Sequence, residues 1–278
     1  MYLRQTSIEV IHPQIERGRF RYVLFDFDGT ISLIREGWQQ VMVEMMAGTL
    51  AGTPQAEGAD QLRSLVEQYI ARSTGVQTVY QMIWLADEVG DRGGRALQPL
   101  VYKDMYNEML LARIRQRIED LREGRARPQE WMVAGARELL ENLRGRGCKL
   151  FCASGTDHEY MAAEAELLGV AGYFDGGLHG AINDYRNFSK KILIDRIIED
   201  NRLAGSEFLA FGDGYVEIED TKGAAGVAVG VASDETGGGA VNTAKRTRLM
   251  EAGADVIVPD FREQEALVGW LFENDSNQ

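Results

Sequence analysis

The sequence predicts an α/β fold in which a parallel sheet is flanked by helices and an all-helical segment is inserted after the first strand. Short apolar runs end abruptly in an acid or a glycine, as RYVLFD at 21–26 and EFLAFGD at 207–213 do. Strand-like and helix-like stretches alternate after Pro128, the βαβ rhythm of a parallel sheet. Between Leu33 and Pro128 the texture is helical, with no convincing strand.

Residues 21–26 read as a buried strand feeding a tight turn, the strand that opens the sheet. The insert then supplies four helical segments, WQQVMVEMMAGTL, ADQLRSLVEQYIARS, VQTVYQMIWLADEV and YNEMLLARIRQRIEDLREG. After Pro128 come helix AGARELLENLRGRG, strand CKLFCAS, helices HEYMAAEAELLG and SKKILIDRIIEDN, and strand EFLAFGD. Helix EIEDTKGAAG, strand VAVGVA, helix NTAKRTRLMEAG and strand DVIVPD complete the pattern, and the polar tail ENDSNQ reads as frayed. The expected organisation is a Rossmann-like core of residues 1–32 and 129–278, with a helical domain at 33–128. Charge partitions the same way: residues 33–128 carry 12 basic and 13 acidic side chains, the remainder 18 and 30. An insert whose two ends return to the carboxyl edge of the sheet would sit over the crevice where such sheets bind ligands, so a lid is expected.

A chain of 278 residues fits two domains at about 150 residues each, and 45% hydrophobic with 26% charged residues implies a real core. The net charge of −13 repels a phosphate backbone, which argues against a nucleic-acid partner. No run of about 18 apolar residues and no signal-peptide core occurs, so a cytoplasmic protein without membrane contact is expected. Cys148 and Cys152, the only cysteines, suit neither a disulfide framework nor a zinc site, and His12, His158 and His179 lack ligand spacing. The apolar stripes of the insert helices could serve a homodimer as easily as the insert's own core.

Four motifs carry chemistry. Asp26-Phe27-Asp28-Gly29-Thr30 places two carboxylates at a strand end, on one side of an extended segment, where their repulsion calls for a cation. Ser154-Gly155-Thr156 presents a hydroxyl where glycine lets backbone N–H groups approach an anion, although serine after a strand also serves as a helix cap. Lys190 and Lys191 open an apolar-periodic helix, against the usual preference for acids there, so one of them faces an anion or both are solvated. Gly212-Asp213-Gly214-Tyr215-Val216-Glu217 repeats the acidic strand end. Carboxylates from two strand ends form the oxygen-rich shell that magnesium prefers, and no Ser-His-Asp order at motif spacing appears.

With DFDGT, SGT, a helix-start lysine and GDG with a following acid in this order, the chain resembles the haloacid dehalogenase (HAD) superfamily of phosphotransferases. The long gap between the first two motifs looks like that family's helical cap of the first type, as in phosphoglycolate phosphatase and β-phosphoglucomutase relatives. The resemblance implies that Asp26 attacks the phosphorus of a small phosphorylated metabolite and forms an aspartyl-phosphate. It implies that Asp28 protonates the leaving alcohol and then activates water. Mg²⁺ would be held by Asp26, the carbonyl of Asp28 and Asp213. Ser154, Gly155, Lys190 and the N–H groups near Gly29 and Thr30 would bind the phosphate. Glu217 stands where many members have Asp, a departure that puts its direct contact with the metal in doubt.

In the insert, Arg35 follows the first motif and could grip a second anionic group or pack its stem on Trp38. Gln77 and Gln81, four apart, would suit hydroxyl recognition on one helix face or simply stand exposed. The function expected is a magnesium-dependent phosphatase, leaning to a sugar or polyol phosphate. A phosphosugar mutase and a catalytically idle metabolite sensor are the alternatives. Dehalogenation is disfavoured by Asp28, phosphonate cleavage by the lack of any insert lysine other than Lys103, and a protein substrate by the large lid.

Overall fold

The computed structural model describes residues 1–182, 184–235 and 239–273; most of the tail expected to fray lies outside this range. Among the described residues seven strands form one sheet: β1 (Glu9–Val10), β2 (Tyr22–Asp26), β3 (Lys149–Asp157), β4 (Gly177–Ala181), β5 (Phe208–Gly212), β6 (Val227–Val231) and β7 (Val256–Val258). Their order is β1-β7-β6-β5-β2-β3-β4, parallel throughout except for β1, which pairs antiparallel with β7 at the edge. From β2 the chain moves outward to β3 and β4, then crosses to β5 on the opposite side. The strand order therefore reverses at β2, and a crevice opens at its carboxyl end.

β2 reads as a continuous apolar run because both faces of the sheet are covered. Val23 and Phe25 point into one core layer with Leu209 and Phe211. Leu24 points the other way, into a second layer with Ala210, Ile194 and Ile197. The Phe25 and Phe211 rings stack at 4.8 Å, and Phe261 meets Phe211 edge-on at 5.8 Å, which fixes the two strands that carry the acidic motifs.

Four helices lie between β2 and β3: α1 (Trp38–Ala51), α2 (Ala59–Arg72), α3 (Thr78–Asp91) and α4 (Pro99–Arg122), the last with proline at its first turn, where the missing N–H costs nothing. Met42, Met46, Val66, Ile70, Met82, Leu85, Leu110 and Ile114 bury their shared core. Among the described residues six further helices follow: α5 (Ala136–Gly145), α6 (His158–Leu167), α7 (Lys190–Asn201), α8 (Tyr215–Gly223), α9 (Thr243–Glu251) and α10 (Gln264–Phe272). Both ends of the insert return side by side: Leu33 N–H donates to Trp131 O at 2.9 Å and Val133 N–H to Ile31 O at 3.0 Å. Arg117 of α4 clamps that junction, donating to the carbonyls of Ile34 and Glu36 at 2.8 Å and lying over the Trp131 ring. Leu97, Leu100, Val101, Met105 and Met109 stay exposed at and along α4. Among the described residues no helix is long and apolar enough to cross a membrane.

Phe211→Ala removes the ring at the centre of this stack, and urea unfolding should show a loss of about 3–5 kcal/mol with an unchanged slope. A loss below about 1 kcal/mol would place the core's weight elsewhere.

Candidate active site

β2 ends at Asp26, where the backbone leaves the sheet with Phe27 fully buried beneath it. Gly29 then turns at φ +78°, and a Cβ there would lie 2.3 Å from Asp213 Oδ2, so glycine is the residue that admits this carboxylate. The two acids of the first motif diverge. Asp26 is buried and accepts from Lys190 Nζ at 2.6 Å. Asp28 turns its side chain the other way, where its Oδ2 accepts from the hydroxyls of Ser154 (3.0 Å) and Thr156 (2.9 Å). Its Oδ1, buried and without a hydrogen bond, faces Arg35 Nε at 3.9 Å. The cation that the sequence calls for beside Asp26 is thus supplied in part by Lys190, and the side chain of Asp28 stands apart from it.

Ser154 is not a helix cap. β3 continues through the motif to Asp157, its pairing with β4 shifting after Ala153, and the Ser154 hydroxyl also accepts from Thr156 N–H at 3.0 Å. The paired lysines separate as well. Ser189 caps α7 by accepting from Ile192 N–H, and Lys190, in the first turn, is driven inward between Asp26 and Glu217 Oε2 (2.8 Å). Lys191 is exposed and pairs with Asp195 one turn on. Glu217 has both oxygens engaged, since Oε1 also accepts from Gly214 N–H at 2.6 Å at the start of α8. A Cβ on Gly155 would come within 3.1 Å of Val76 O, so the insert backbone closes down on this edge.

Several groups escaped sequence reading. Lys245 of α9 donates to Asp213 Oδ2 at 2.6 Å and to Glu235, beside Ser233, whose hydroxyl holds the Gly29 carbonyl at 2.9 Å. In the sequence Lys245 sits in TAKRTRLME, where it reads as one of several solvated cations. Glu164 of α6 is buried and takes a bidentate grip from Arg35, at 2.9 Å to Nε and 2.7 Å to Nη2. Asp157 binds Lys103 and, at 3.1 Å, Asn107 Nδ2, both from α4.

Several of these residues surround a cleft at the carboxyl edge of the sheet that is partly open to solvent. Asp26, Asp28, Ser154, Gly155, Lys190 and Asp213 line its floor. Arg35, Trp38, Met42, Val76, Gln81 and Tyr106 form much of its wall. Gln81 thus reaches the cavity, with its amide nitrogen held by Ser73 Oγ at 2.9 Å. Gln77 does not line it: Gln77 precedes α3 as its N-cap and donates to the Phe188 carbonyl of the core. His12, His158 and His179 each contact Asp255 or backbone and lie outside the lining.

Oxygens of Asp26, Asp213 and Glu217 lie within 4.8 Å of one another. Three carboxylates offering hard oxygen donors fit a dication such as Mg²⁺. Burial, reinforced by the charges of Glu217 and Asp213, pushes the Asp26 carboxyl well above its ordinary range against the pull of Lys190. A dication among these oxygens would favour the ionised form. Burial likewise lifts the Glu164 carboxyl, and the guanidinium clamped on both its oxygens works against that rise.

The family model for haloacid dehalogenase-like hydrolases matches residues 20–220. No curated protein matches the sequence. Solved structures do. A predicted phosphoglycolate phosphatase from Haemophilus somnus is 15% identical, with 90% of this chain and 98% of that chain covered and a TM-score of 0.59. A candidate β-phosphoglucomutase from Bacteroides vulgatus is 14% identical over 93% of each chain, TM-score 0.60. A phosphonoacetaldehyde hydrolase-like protein from Oleispira antarctica is 13% identical over 93% of this chain and 94% of that one, TM-score 0.61. At such identities the likeness is one of fold.

Adjacent lysines of opposite burial make a sharp comparison. Lys190→Met strands two buried carboxylates, Asp26 and Glu217, and should cost about 3–5 kcal/mol in metal-free urea unfolding, whereas Lys191→Met should cost less than about 1 kcal/mol. Equal costs would contradict the inward placement of Lys190.

Proposed function

The chain belongs to the haloacid dehalogenase-like hydrolase family, and on that premise we propose that it is a magnesium-dependent phosphatase acting on a small phosphomonoester through an aspartyl-phosphate. The observation that carries this reading is Asp26 itself: a carboxylate at the tip of the central strand, opening on the cavity and gathered with Lys190, Asp213 and Glu217. The helices of residues 33–128 act in it as the lid.

In this reading an Asp26 oxygen attacks the phosphorus, the bond to the leaving oxygen breaks, and Asp28 gives that oxygen its proton. Oδ1 of Asp28 suits the task, being free of hydrogen bonds while Ser154 and Thr156 fix Oδ2. Water then attacks the phosphorus, its proton passes to Asp28, and the bond to Asp26 breaks, releasing inorganic phosphate and restoring both acids. Lys190, the backbone N–H groups of Thr30 and Gly155, and the Ser154 hydroxyl once it turns from Asp28 bind the phosphate oxygens, whereas the Gly29 N–H is committed to the Ser32 carbonyl at 2.9 Å. Asp26, Asp213 and the Asp28 carbonyl, with Glu217 alongside, would hold Mg²⁺, which would supply charge neutralisation between two anions. Lys245 keeps Asp213 in place, and Ser233 keeps the turn at Gly29.

A Schiff base needs a free amine, and Lys103 is a buried cation paired with Asp157, outside the cavity lining. A sugar or polyol phosphate suits the wall, where Gln81, Thr78, Thr74 and Asn107 offer uncharged hydrogen-bonding groups beside Trp38 and Met42.

Asp26→Asn should leave the fold intact by circular dichroism and lower magnesium-dependent hydrolysis of p-nitrophenyl phosphate by more than about a thousandfold. Full activity in that variant would remove Asp26 as the nucleophile. With the best substrate of a phosphorylated-metabolite panel, Gln81→Ala should raise KM about three- to tenfold. An unchanged KM would take Gln81 out of substrate recognition.

A further inference from the structure

Charge on the cavity wall is already spent. Among the described residues that line the cavity only Arg35 and Lys190 are cations. Lys190 stands at the phosphate end, between Asp26 and Glu217. Arg35 is the one cation placed to meet the rest of a substrate, and Glu164 closes on it through Nε and Nη2 with both groups buried. Asp28 Oδ1 lies on the same guanidinium at 3.9 Å. The next acid along the wall, Asp157, is paired with Lys103 behind it. A carboxylate or second phosphate on the leaving group would therefore give up its water without gaining an unpaired cation, and would face Asp28 and Asp157 besides. A hydroxylated, neutral leaving group meets no such cost, because the remaining polar groups of the wall are uncharged.

We infer that Glu164, by neutralising Arg35, makes this pocket select phosphomonoesters with neutral hydroxylated leaving groups and reject those that carry a second anionic group. The inference rests on the phosphatase reading above and sharpens it: Glu164 is a specificity-determining residue that acts through Arg35 rather than by touching the reacting atoms. Arg35 is then a wall held in place and not an anion receptor.

The test uses matched esters that differ in one group, with Mg²⁺ present: 2-hydroxyethyl phosphate against 2-phosphoglycolate, and glycerol 3-phosphate against 3-phosphoglycerate. The native chain should favour the neutral member of each pair by about tenfold or more in kcat/KM. Glu164→Gln frees the guanidinium charge, and the ratio should move toward the carboxylate esters by about tenfold, mainly through their KM. Where that variant fails to fold, Arg35→Met with Glu164→Met replaces the pair by apolar side chains of similar bulk, and the neutral preference should persist. Equal or reversed preference in the native chain, while p-nitrophenyl phosphate is still hydrolysed, overturns this inference alone. So does an unmoved ratio in a folded Glu164→Gln. Loss of carboxylate-ester turnover in the double variant, from a native chain that turned it over well, overturns it too. Absence of hydrolysis of every ester, p-nitrophenyl phosphate included, defeats the phosphatase reading and this inference with it.

Discussion

Like charge at the carboxyl edge of the sheet is the constraint on which the rest of the structure depends. Asp26, Asp213 and Glu217 are buried within a few ångströms of one another, and buried carboxylates that lack partners would protonate or push the strand ends apart. Two lysines hold the cluster together, each fixed by a different helix. Lys190 enters from the start of α7 and Lys245 from α9. Neither lysine neutralises the whole group, and the residual negative charge is what a hard dication would answer. The sheet's crossover at β2 brings these distant stretches of chain together, and the Phe25–Phe211 stack keeps their two strands in register.

A second arrangement of charge governs the side of the cavity formed by the insert. Arg35 with Glu164, and Lys103 with Asp157, are buried or nearly buried ion pairs between the insert and the core. Such pairs add little net stability compared with apolar packing, but they are costly to break on one side only, so they specify where the insert sits. The same pairing leaves the wall of the cavity electrically quiet while its floor is strongly charged. In the proposed phosphatase, phosphate chemistry and leaving-group recognition are thereby divided between two sets of residues.

Much of this was legible in the sequence because the motifs are local. The apolar run closed by Asp26, the glycine that must turn at 29, and Asp213 after Phe211 are set by a few consecutive residues. The alternation of strands and helices after Pro128 likewise needs only the 2.0 and 3.6 periodicities. What escaped depends on partners far along the chain. Glu164 sits in AEAEL and Lys245 in TAKRTRLME, and each looks like a solvated helix charge until the fold buries it. Strand β1 is two residues long, and β4, GLHGA, is too rich in glycine to register as an apolar run. Helix α10, QEALVGWLF, is apolar on most sides and gives no clean stripe. The divergence of Asp26 and Asp28 was also hidden, since a spacing of two puts them on one side only while the strand continues, and β2 ends at Asp26.

Asp26, with Asp213 at the end of a separate strand, is proposed as a phosphoryl-accepting carboxylate beside a bound dication. A crystal structure of the chain with Mg²⁺ and beryllium fluoride addresses it most directly, because trifluoroberyllate adds to a phosphorylatable aspartate as a phosphoryl group would. Beryllium should sit on an Asp26 oxygen, with its fluorides near Ser154 and Lys190 and Mg²⁺ in contact with Asp26 and Asp213. Beryllium fluoride elsewhere in the cavity, or Mg²⁺ bound away from both aspartates, would contradict it.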